Sequence, residues 1–423
     1  MTGPHSGDHT SFTRHLALIA EMSRSFIASH DLAAVAQHGL DRIADYMEAE
    51  AASLFLFEQN ENELVCYACH GPVDISGLRL PAHQGVVGRA VQTGTSQMVI
   101  DAAQDKDFHS IVDKNTGFTT ISLLTVPLNV GQERLGAIQV INKKDRQHLF
   151  CQADLHVLEV LAAAVGLAIL NVHHTNAMIE QERVRHELEL AGEIQKGLLP
   201  DFSDETLPVF GINWPARRVS GDFYDVMRLA EGRLWFVLGD VSGKGMNAAL
   251  LMAKTASVFR CLAKTLDRPG ILMARINDEL CETSSHGMFV TMIAGLLDLS
   301  EGTVILANAG HEPPLLFSLE ETFSTIPATA PPVGILTGLK AEDFPETRLT
   351  LAGGTLYVFT DGLTEAYTNA AEKQMLGVEG VMDLIRHSSG KPLRQRLAAM
   401  AAAVPRSLLR DDLTLFAVDG TLL

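Results

Sequence analysis

The sequence predicts an α+β protein in which two folded domains are joined by a long helix. Its 423 residues are enough for two or three domains of about 150 residues each. Short apolar runs typical of strands are mixed with helical patterns before residue 172 and again after residue 200, whereas the stretch between them is helical throughout. With 47% apolar and 20% charged residues, the composition is that of ordinary globular domains.

The chain is acidic, because 33 Lys and Arg stand against 51 Asp and Glu, a net charge of −18. A negative surface repels phosphates, which argues against duplex nucleic acid and anionic membranes as main partners. Five cysteines do not make a disulfide framework in a chain of this length. The longest apolar run, 160–170, is shorter than the roughly 20 residues that a membrane span requires. These observations predict a cytoplasmic protein.

Residues 1–11 predict a flexible leader, and residues 12–172 predict one mixed domain. Asp31 can cap a helix, since the apolar positions that follow it recur at helical spacing. ASLFLF predicts a buried strand that pairs with LVCYACH, and LLTVPLNVGQERLGAIQVINKK predicts a hairpin. Strands enclosed by two helices, without a cluster of catalytic residues, indicate a sensor module.

Residues 173–200 predict a helical linker that continues a helix beginning near Gln152 and ends at Pro200. Two sets of residues recur every seven positions along it: Ala177, Val184, Ala191 and Leu198, and His174, Gln181, Leu188 and Gln195. This heptad seam favours a parallel dimeric coiled coil, and the alternative is a helix that packs on its own domain.

Four acidic motifs in residues 201–423 carry the strongest chemical signal. Asp222 lies in SGDFYD, Asp240 follows WFVLG, Asp361 follows LYVFT, and Asp411 and Asp412 precede LTLFAV. One Asp at a strand end is usually a turn residue, but four in the same context indicate carboxylates that converge. Converging carboxylates repel one another unless cations neutralise them, and oxygen ligands favour Mg²⁺ or Mn²⁺. Two such ions can activate water for phosphoester hydrolysis.

These motifs resemble the SpoIIE-like branch of the PPM serine/threonine protein phosphatases, relatives of protein phosphatase 2C. The matching segments run over about 188–418 in family order: AGEIQKGLLP, GDFYD, GDVSGKGMNAALLM, FVTMIAGLLDL, ANAGHEPPLLF, FTDGLTEA and DDLTL. The resemblance implies an α-β-β-α sandwich over residues 201–423 that binds two Mn²⁺ or Mg²⁺ ions. It implies these catalytic metal ligands: Asp222, Asp240, Asp361, Asp411 and the backbone carbonyl of Val241. Asp412 is the alternative to Asp411, which we favour as the direct ligand.

Other polar residues near these motifs allow two interpretations. Asp225 is a candidate for an outer-shell or third-metal group. Arg217 and Arg218 either replace the phosphate-binding Arg of eukaryotic relatives or form a solvated basic pair, which we favour. Asn308 and His311 form either an acid/base pair or a structural turn, and we favour the turn because Pro313 and Pro314 mark a rigid bend.

Residues 12–172 resemble a GAF domain. Asn142, Lys143, Phe150 and Asp154 nearly match the NKFDE motif of cyclic-nucleotide-binding members, with Leu155 in place of the last acid. The resemblance implies these four residues as ligand-binding candidates. Lys143 and Asp154 can also pair across a strand and a helix to hold the fold, even in a nucleotide binder. The domain would bind a cyclic nucleotide, bind another small ligand, or have a purely structural role in dimerisation.

Together the resemblances imply a bacterial signalling phosphatase. It would be a dimer, and its GAF sensor would act through the helical linker. The resemblance suggests a phosphorylated STAS-domain protein, an anti-sigma-factor antagonist, as substrate. The alternative function is a non-catalytic protein that binds a signalling partner through the phosphatase fold. That alternative would be marked by lost ligand carboxylates, and all four are present.

Overall fold

The computed structural model describes residues 31–58, 62–108, 113–114, 117–131, 133–145, 148–202, 207–283, 287–369 and 374–423. The predicted leader and residues 12–30 of the first domain lie outside this range. Contacts divide the chain into two compact units, Met1–Arg183 and Val184–Leu423.

The first unit is built on a six-stranded antiparallel sheet with the strand order β3-β2-β1-β6-β5-β4. Its elements are α1 (Leu32–Tyr46), β1 (Ala49–Glu58), β2 (Glu63–His70), β3 (Arg79–Pro81), α2 (Gly85–Thr93), β4 (Gln97–Val99), β5 (Leu123–Val130) and β6 (Glu133–Lys143). Asp31 caps α1, because its Oδ1 accepts a hydrogen bond from the backbone N–H of Ala33. The predicted strand pairs β1–β2 and β5–β6 are both antiparallel neighbours.

The two faces of the first sheet have different partners because successive strand residues point to opposite sides. On β1, Leu54 and Leu56 pack into the main core with α1 and the long helix α3 (Gln152–Lys196). Ser53 and Phe55 face the other side and line a cavity. The sheet therefore has a packed core on one face and a cavity on the other.

Helix α3 has 45 residues and spans the boundary between the two units. Its first half contributes a buried stripe to the first core, made of Leu158, Leu161, Val165, Ile169 and Val172. An 18-residue window of mean hydropathy 2.0 would be apolar enough to cross a membrane, but half of it is buried inside the protein. The length of the helix agrees with the predicted linker.

The predicted heptad seam on α3 has two environments. Val160 and Leu167, which extend it towards the N-terminus, are 53% and 52% exposed. Val184 is 45% exposed, whereas Gln195 is only 7% exposed and donates hydrogen bonds to the carbonyls of Ser220 and Ala249. Both residues belong to the second unit, so the last turns of the seam pack within that unit, and the structure does not establish the coiled coil.

The second unit has two five-stranded sheets, with the orders β14-β11-β10-β9-β8 and β13-β12-β15-β18-β7. The strands are β7 (Val209–Trp214), β8 (Phe223–Arg228), β9 (Arg233–Val241), β10 (Val290–Asp298), β11 (Thr303–Ala309), β12 (Leu315–Phe317), β13 (Phe323–Thr325), β14 (Glu346–Thr350), β15 (Thr355–Phe359), β16 (Tyr367–Asn369), β17 (Gln374–Met375) and β18 (Leu413–Asp419). The helices are α4 (Met246–Leu262), α5 (Pro269–Thr283), α6 (Asp361–Thr364), α7 (Gly377–Ser388) and α8 (Leu393–Ala402).

Three hydrophobic clusters show how these layers stack. Phe236 and Phe416 meet between the two sheets, with ring centroids 5.6 Å apart. Trp235, on the opposite face of β9, packs edge-on against Phe259 of α4, and Tyr357 of β15 packs with α7 and α8. Helices therefore cover the outer face of each sheet, which confirms the predicted α-β-β-α sandwich.

Candidate metal centre

The four predicted carboxylates lie at the ends of neighbouring strands in both sheets. Asp222 directly precedes β8, and Asp240 is the penultimate residue of the adjacent strand β9. Asp361 begins α6 just after β15, and Asp411 lies two residues before the adjacent strand β18. Rigid paired strands thus deliver two carboxylates from each sheet.

Asp222 is the most buried of these acids. Its Oδ2 accepts hydrogen bonds from the hydroxyls of Thr360 (2.8 Å) and Thr414 (2.7 Å). Burial, with added repulsion from Asp240 and Asp412, raises the pKa of this carboxyl well above its usual value. Asp222 is therefore fixed in position by two neutral hydroxyls, and its charge is destabilised where it lies.

Asp240 and Asp361 share this electrostatic environment. Burial raises the pKa of Asp240 from 3.8 to about 7, and the negative charges of Asp361, Asp411 and Asp412 add to the effect. A hydrogen bond with Asp222 acts in the opposite direction. Burial, followed by repulsion from Asp411, raises the pKa of Asp361 to about 6. These carboxyls are close enough to oppose each other's ionisation.

Asp411 and Asp412 differ in what their oxygens bind. Asp412 accepts backbone hydrogen bonds from Ala216 (2.8 Å) on one oxygen and from Gly221 (2.7 Å) on the other. Asp411 is partly exposed, and its Oδ2 lies 2.7 Å from Nζ of Lys244. Asp412 is therefore engaged in holding the loop before Asp222, while Asp411 faces the cluster with the ammonium group of Lys244 beside it.

The loop after β9 is shaped by two glycines with positive φ, Gly243 at 96° and Gly245 at 80°. Lys244 lies between them, and Gly245 directly precedes α4. This conformation brings Lys244 to Asp411, 167 residues away in sequence. The backbone carbonyl of Val241 lies near Gly221, where an added Cβ would approach it to 3.3 Å.

The donor set fits divalent metal ions. It consists of carboxylate and carbonyl oxygens, which are the ligands that Mg²⁺ and Mn²⁺ prefer. The raised pKa values of Asp240 and Asp361 record buried negative charge that a cation would neutralise. Within the described ranges, no three His, Cys, Asp or Glu side chains form a complete preformed cage. The residues thus fit metals chemically, without a closed arrangement of three side chains.

Comparison with known proteins agrees with these two units. Residues 230–420 match the family described as stage II sporulation protein E (SpoIIE), and residues 29–170 match the GAF domain family. Residues 29–170 therefore match a GAF domain, and residues 230–420 match a SpoIIE-type phosphatase domain. SpoIIE-type domains belong to the PPM serine/threonine phosphatases, which in general depend on Mn²⁺ or Mg²⁺.

Individual relatives are more distant. Protein IcfG of Synechocystis sp. is 30% identical over 55% of this chain and 41% of its own length. Phosphoserine phosphatase RsbU of Bacillus subtilis is 26% identical over 62% of this chain and 78% of its own length. The SiaA-PP2C domain of Pseudomonas aeruginosa, a solved structure, is 22% identical with a TM-score of 0.49, over 57% of this chain and 98% of that domain.

Other predicted residues of the SpoIIE-type domain lie outside the acidic cluster. Asp225 is buried, and Arg260 of α4 donates a 3.1 Å hydrogen bond to its Oδ1. Arg218 pairs with Glu189 of α3, and Arg217 is exposed. Asp225 therefore has a cationic partner of its own, and Arg218 is engaged with the helix.

Asn308 and His311 make the contacts of a structural turn. Asn308 Oδ1 accepts the backbone N–H of His311, and the Asn308 amide donates to the His311 carbonyl. His311 Nε2 lies 3.1 Å from the Phe359 carbonyl, so that nitrogen carries the proton and Nδ1 accepts from Thr291. Burial lowers the pKa of His311 to about 4, which keeps the ring neutral.

The four predicted ligand-binding residues of the GAF domain hold its fold. Asn142 has φ of 51°, and its side chain accepts two backbone N–H groups, those of Ile121 and Ser122. Lys143 pairs with Asp154 at 2.9 Å, and its Nζ lies over the ring of Phe150. None of the four motif residues lines the GAF cavity. Their polar atoms serve backbone and ion-pair contacts, and ligand binding by these four residues stays a prediction.

Sequence reasoning missed several residues that support the phosphatase site. Thr360 and Thr414 are ordinary strand-end residues, and nothing in their spacing distinguishes them from other threonines. Gln195 binds Ser220, two residues before Asp222, through both ends of its amide. Lys244 lies inside the GDVSGKGM motif. A positive charge between two glycines was the sequence feature that could have identified it as a site residue.

Proposed function

We propose that the chain hydrolyses phosphoserine or phosphothreonine on a partner protein with two divalent ions, Mn²⁺ or Mg²⁺. Asp222, Asp240, Asp361 and Asp411 would hold the ions together with the Val241 carbonyl. When bound, such ions supply a nucleophilic water at neutral pH and offset phosphate charge. The observation that carries this proposal is the convergence of carboxyls from the ends of four strands, three of which, Asp222, Asp240 and Asp361, have raised pKa values because they are buried near other carboxylates.

The chain's own residues would orient the ligands and the substrate. The hydroxyls of Thr360 and Thr414 fix Asp222, and Asp412 fixes the loop before it by binding Gly221. Lys244 lies at the partly exposed rim of the cluster and carries a positive charge. We propose that it leaves Asp411 and contacts the substrate phosphate, since a point charge on a flexible stem suits that role.

The nature of the substrate rests on the relatives. RsbU of Bacillus subtilis is named a phosphoserine phosphatase, which supports phosphoserine as the bond broken. We propose a phosphorylated STAS-domain anti-sigma-factor antagonist as the protein substrate, in the cytoplasm. The net charge of −18 is compatible with a phosphoprotein only where bound cations reverse the local sign.

We further propose that the chain is a homodimer in which α3 transmits the state of the GAF domain. On α3, Val160 and Leu167 are exposed on the side away from the buried stripe and continue the seven-residue seam. An apolar seam opposite a packed face is typical of a helix that pairs with a second copy. At its other end, α3 is joined to the phosphatase domain through Gln195 and Ser220.

The phosphatase proposal is tested by phosphate release from a phosphoserine peptide with manganese present or removed by a chelator. We expect activity that needs the metal and is lost in Asp361→Asn. Asp383→Asn is the matched control, because Asp383 pairs with Arg386 on the exposed surface of α7. Full activity in Asp361→Asn would refute the site, and a wild-type protein without activity on any phosphopeptide would favour the non-catalytic alternative.

The dimer proposal is tested by light scattering after size-exclusion chromatography. Leu167→Glu places a charge in the exposed seam and should convert a dimer into a monomer. His186→Glu is the matched control, because His186 is exposed on the same helix but lies off the seam. A monomeric wild-type protein, or a dimer that survives Leu167→Glu, would contradict pairing through this face.

A further inference from the structure

The GAF domain contains a cavity on the side of its sheet that faces away from the packed core. Its volume is about 530 Å³, within the range of small-molecule sites in proteins. All of its described lining residues lie between positions 51 and 141, so the cavity is a property of the first unit alone.

The walls of the cavity are largely apolar and partly aromatic. Three phenylalanines contribute to them: Phe55 from β1, Phe108, and Phe118. Val86 and Leu123 add aliphatic surface from α2 and β5. Surfaces of this kind gain free energy by removing a flat apolar body from water.

One polar group on the cavity floor has no hydrogen-bond partner among the residues that the structure describes. Ser53 is only 2% exposed, and its Oγ has no hydrogen bond to any described atom. It faces Gln139 on β6 and Cys69 on β2 in the sheet register, so it stands in the middle of the floor. Buried hydroxyls are almost always hydrogen-bonded, so this group marks where a ligand's polar atom would lie.

The charges around the cavity disfavour an anion. The described lining residues include no Lys or Arg. They include Asp74 and Asp113, and one histidine, His70, whose Nδ1 lies 2.9 Å from Asp41. Hydrogen bonds from the Ser76 backbone and from Cys69 lower the pKa of Asp74, so it stays ionised at neutral pH. Helix α2 begins at Gly85, and its dipole places about half a positive charge at this N-terminus. The two carboxylates carry more negative charge than that.

We propose that this cavity binds a small uncharged molecule with a flat apolar body and a polar group that reaches Ser53, and that it rejects cyclic nucleotides. The apolar body would lie between the phenylalanine walls, and its hydroxyl or amide would hydrogen-bond to Ser53 Oγ. This inference rests on the proposed function only for the link between ligand binding and phosphatase control.

The proposal is tested by isothermal titration calorimetry of the full chain with probes that include a neutral and an anionic derivative of the same ring. The probes are naphthalen-2-ylmethanol, 2-naphthoate, cyclic GMP and cyclic AMP. We expect the alcohol to bind at least about tenfold more tightly than the carboxylate, a difference equal to about 1.4 kcal/mol. We expect neither cyclic nucleotide to bind. No binding by the alcohol up to its solubility limit, or an anion that binds as tightly as the alcohol, would overturn the proposal.

Variants of the floor test the role of Ser53. Ser53→Ala should weaken binding of the alcohol about tenfold, as expected for one lost hydrogen bond in a buried site. Ser53→Cys keeps the size of the side chain with a weaker donor and serves if the alanine variant does not fold. Ser96→Ala is the control, because Ser96 bonds Glu159 outside the cavity. Unchanged affinity in the folded Ser53 variants would refute the anchor.

This titration measures binding without any phosphatase step. A failed phosphatase assay therefore leaves its result intact, and a failed titration leaves the metal centre untouched. If the alcohol binds, phosphate release measured with and without it shows whether the cavity controls the second domain.

Discussion

Replacing Asp240 by Asn should stabilise the metal-free phosphatase domain while it abolishes activity. Burial raises the pKa of Asp240 from 3.8 to about 7, so ionisation of this side chain opposes folding at neutral pH. Asparagine has nearly the same shape without the charge, and its amide can donate a hydrogen bond to Asp222. A function that needs clustered carboxylates thus has a cost in stability that the variant removes.

The size of the effect follows from the pKa values. Each pKa unit corresponds to about 1.4 kcal/mol, so the difference between 3.8 and about 7 corresponds to roughly 4 kcal/mol for Asp240 alone. The repulsion comes from Asp361, Asp411 and Asp412, which remain in the variant, and water reaches part of the site. We therefore expect the free energy of unfolding to rise by about 2 kcal/mol at pH 7.5.

The effect should depend on pH with a definite sign. The Asp240 carboxyl binds protons more tightly in the folded than in the unfolded state, so stability falls as pH rises from 3.8 to about 7. The advantage of the Asn variant should thus be smaller at pH 5 than at pH 7.5. The pKa of His311 is lowered to about 4, so the protein also loses stability as pH falls below 6.5. This contribution is the same in the wild type and the variant, so it does not affect their difference.

The assay is urea unfolding in the presence of a chelator, followed by tryptophan fluorescence. Both tryptophans, Trp214 and Trp235, belong to the second unit, so the signal reports on the phosphatase domain. Asp383→Asn should leave the midpoint unchanged, and manganese should stabilise the wild type but not Asp240→Asn. A variant that is less stable than the wild type at pH 7.5 without metal would refute the electrostatic account.

Three further substitutions test the supporting residues. Thr414→Val removes a hydrogen-bond donor to Asp222 and should weaken manganese binding, measured by calorimetry, about 10- to 100-fold. Thr414→Ser should keep the affinity of the wild type. Equal affinities of the Val and Ser variants would contradict the positioning role. Lys244→Ala should raise the KM for a phosphopeptide and weaken inhibition by free phosphate, with most of both effects rescued by Lys244→Arg; a change in kcat alone would exclude phosphate contact. Gln195→Leu leaves buried backbone groups of Ser220 without partners, so the domain should lose about 1 to 3 kcal/mol of stability by urea unfolding, against no change for the exposed Lys196→Leu.

The acidic centre was largely predictable from the sequence because its signal is local. Each acid adjoins an apolar run that can only be a buried strand, as WFVLGD and LYVFTD illustrate, and the structure places these runs in β9 and β15. The strands and helices were predictable for the same reason, because the alternation of apolar and polar residues and the turn residues are visible within short stretches of sequence. The closeness of the four carboxylates required the pairing of strands from distant parts of the chain.

The residues that escaped prediction act through contacts between distant segments. Asp412 differs from Asp411 because it binds the N–H groups of Ala216 and Gly221, which lie 196 and 191 residues earlier. No short sequence window contains that information. The contacts of the GAF motif are hidden from the sequence for a related reason: Asn142 binds the backbone of distant residues, and Lys143 pairs with Asp154.

Three consecutive residues connect the linker helix to the candidate metal centre. Ser220 binds Gln195 of α3 through its N–H and its carbonyl, Gly221 binds Asp412 before β18, and Asp222 binds threonines that follow β15 and begin β18. A displacement of the end of α3 would therefore reach Asp222 through two peptide units. Because Asp240 raises the pKa of Asp222, and a hydrogen bond with Asp222 lowers the pKa of Asp240, a small shift of one changes the free energy of charging both. Control of such a site needs no long pathway, only a helix end whose position differs between two states.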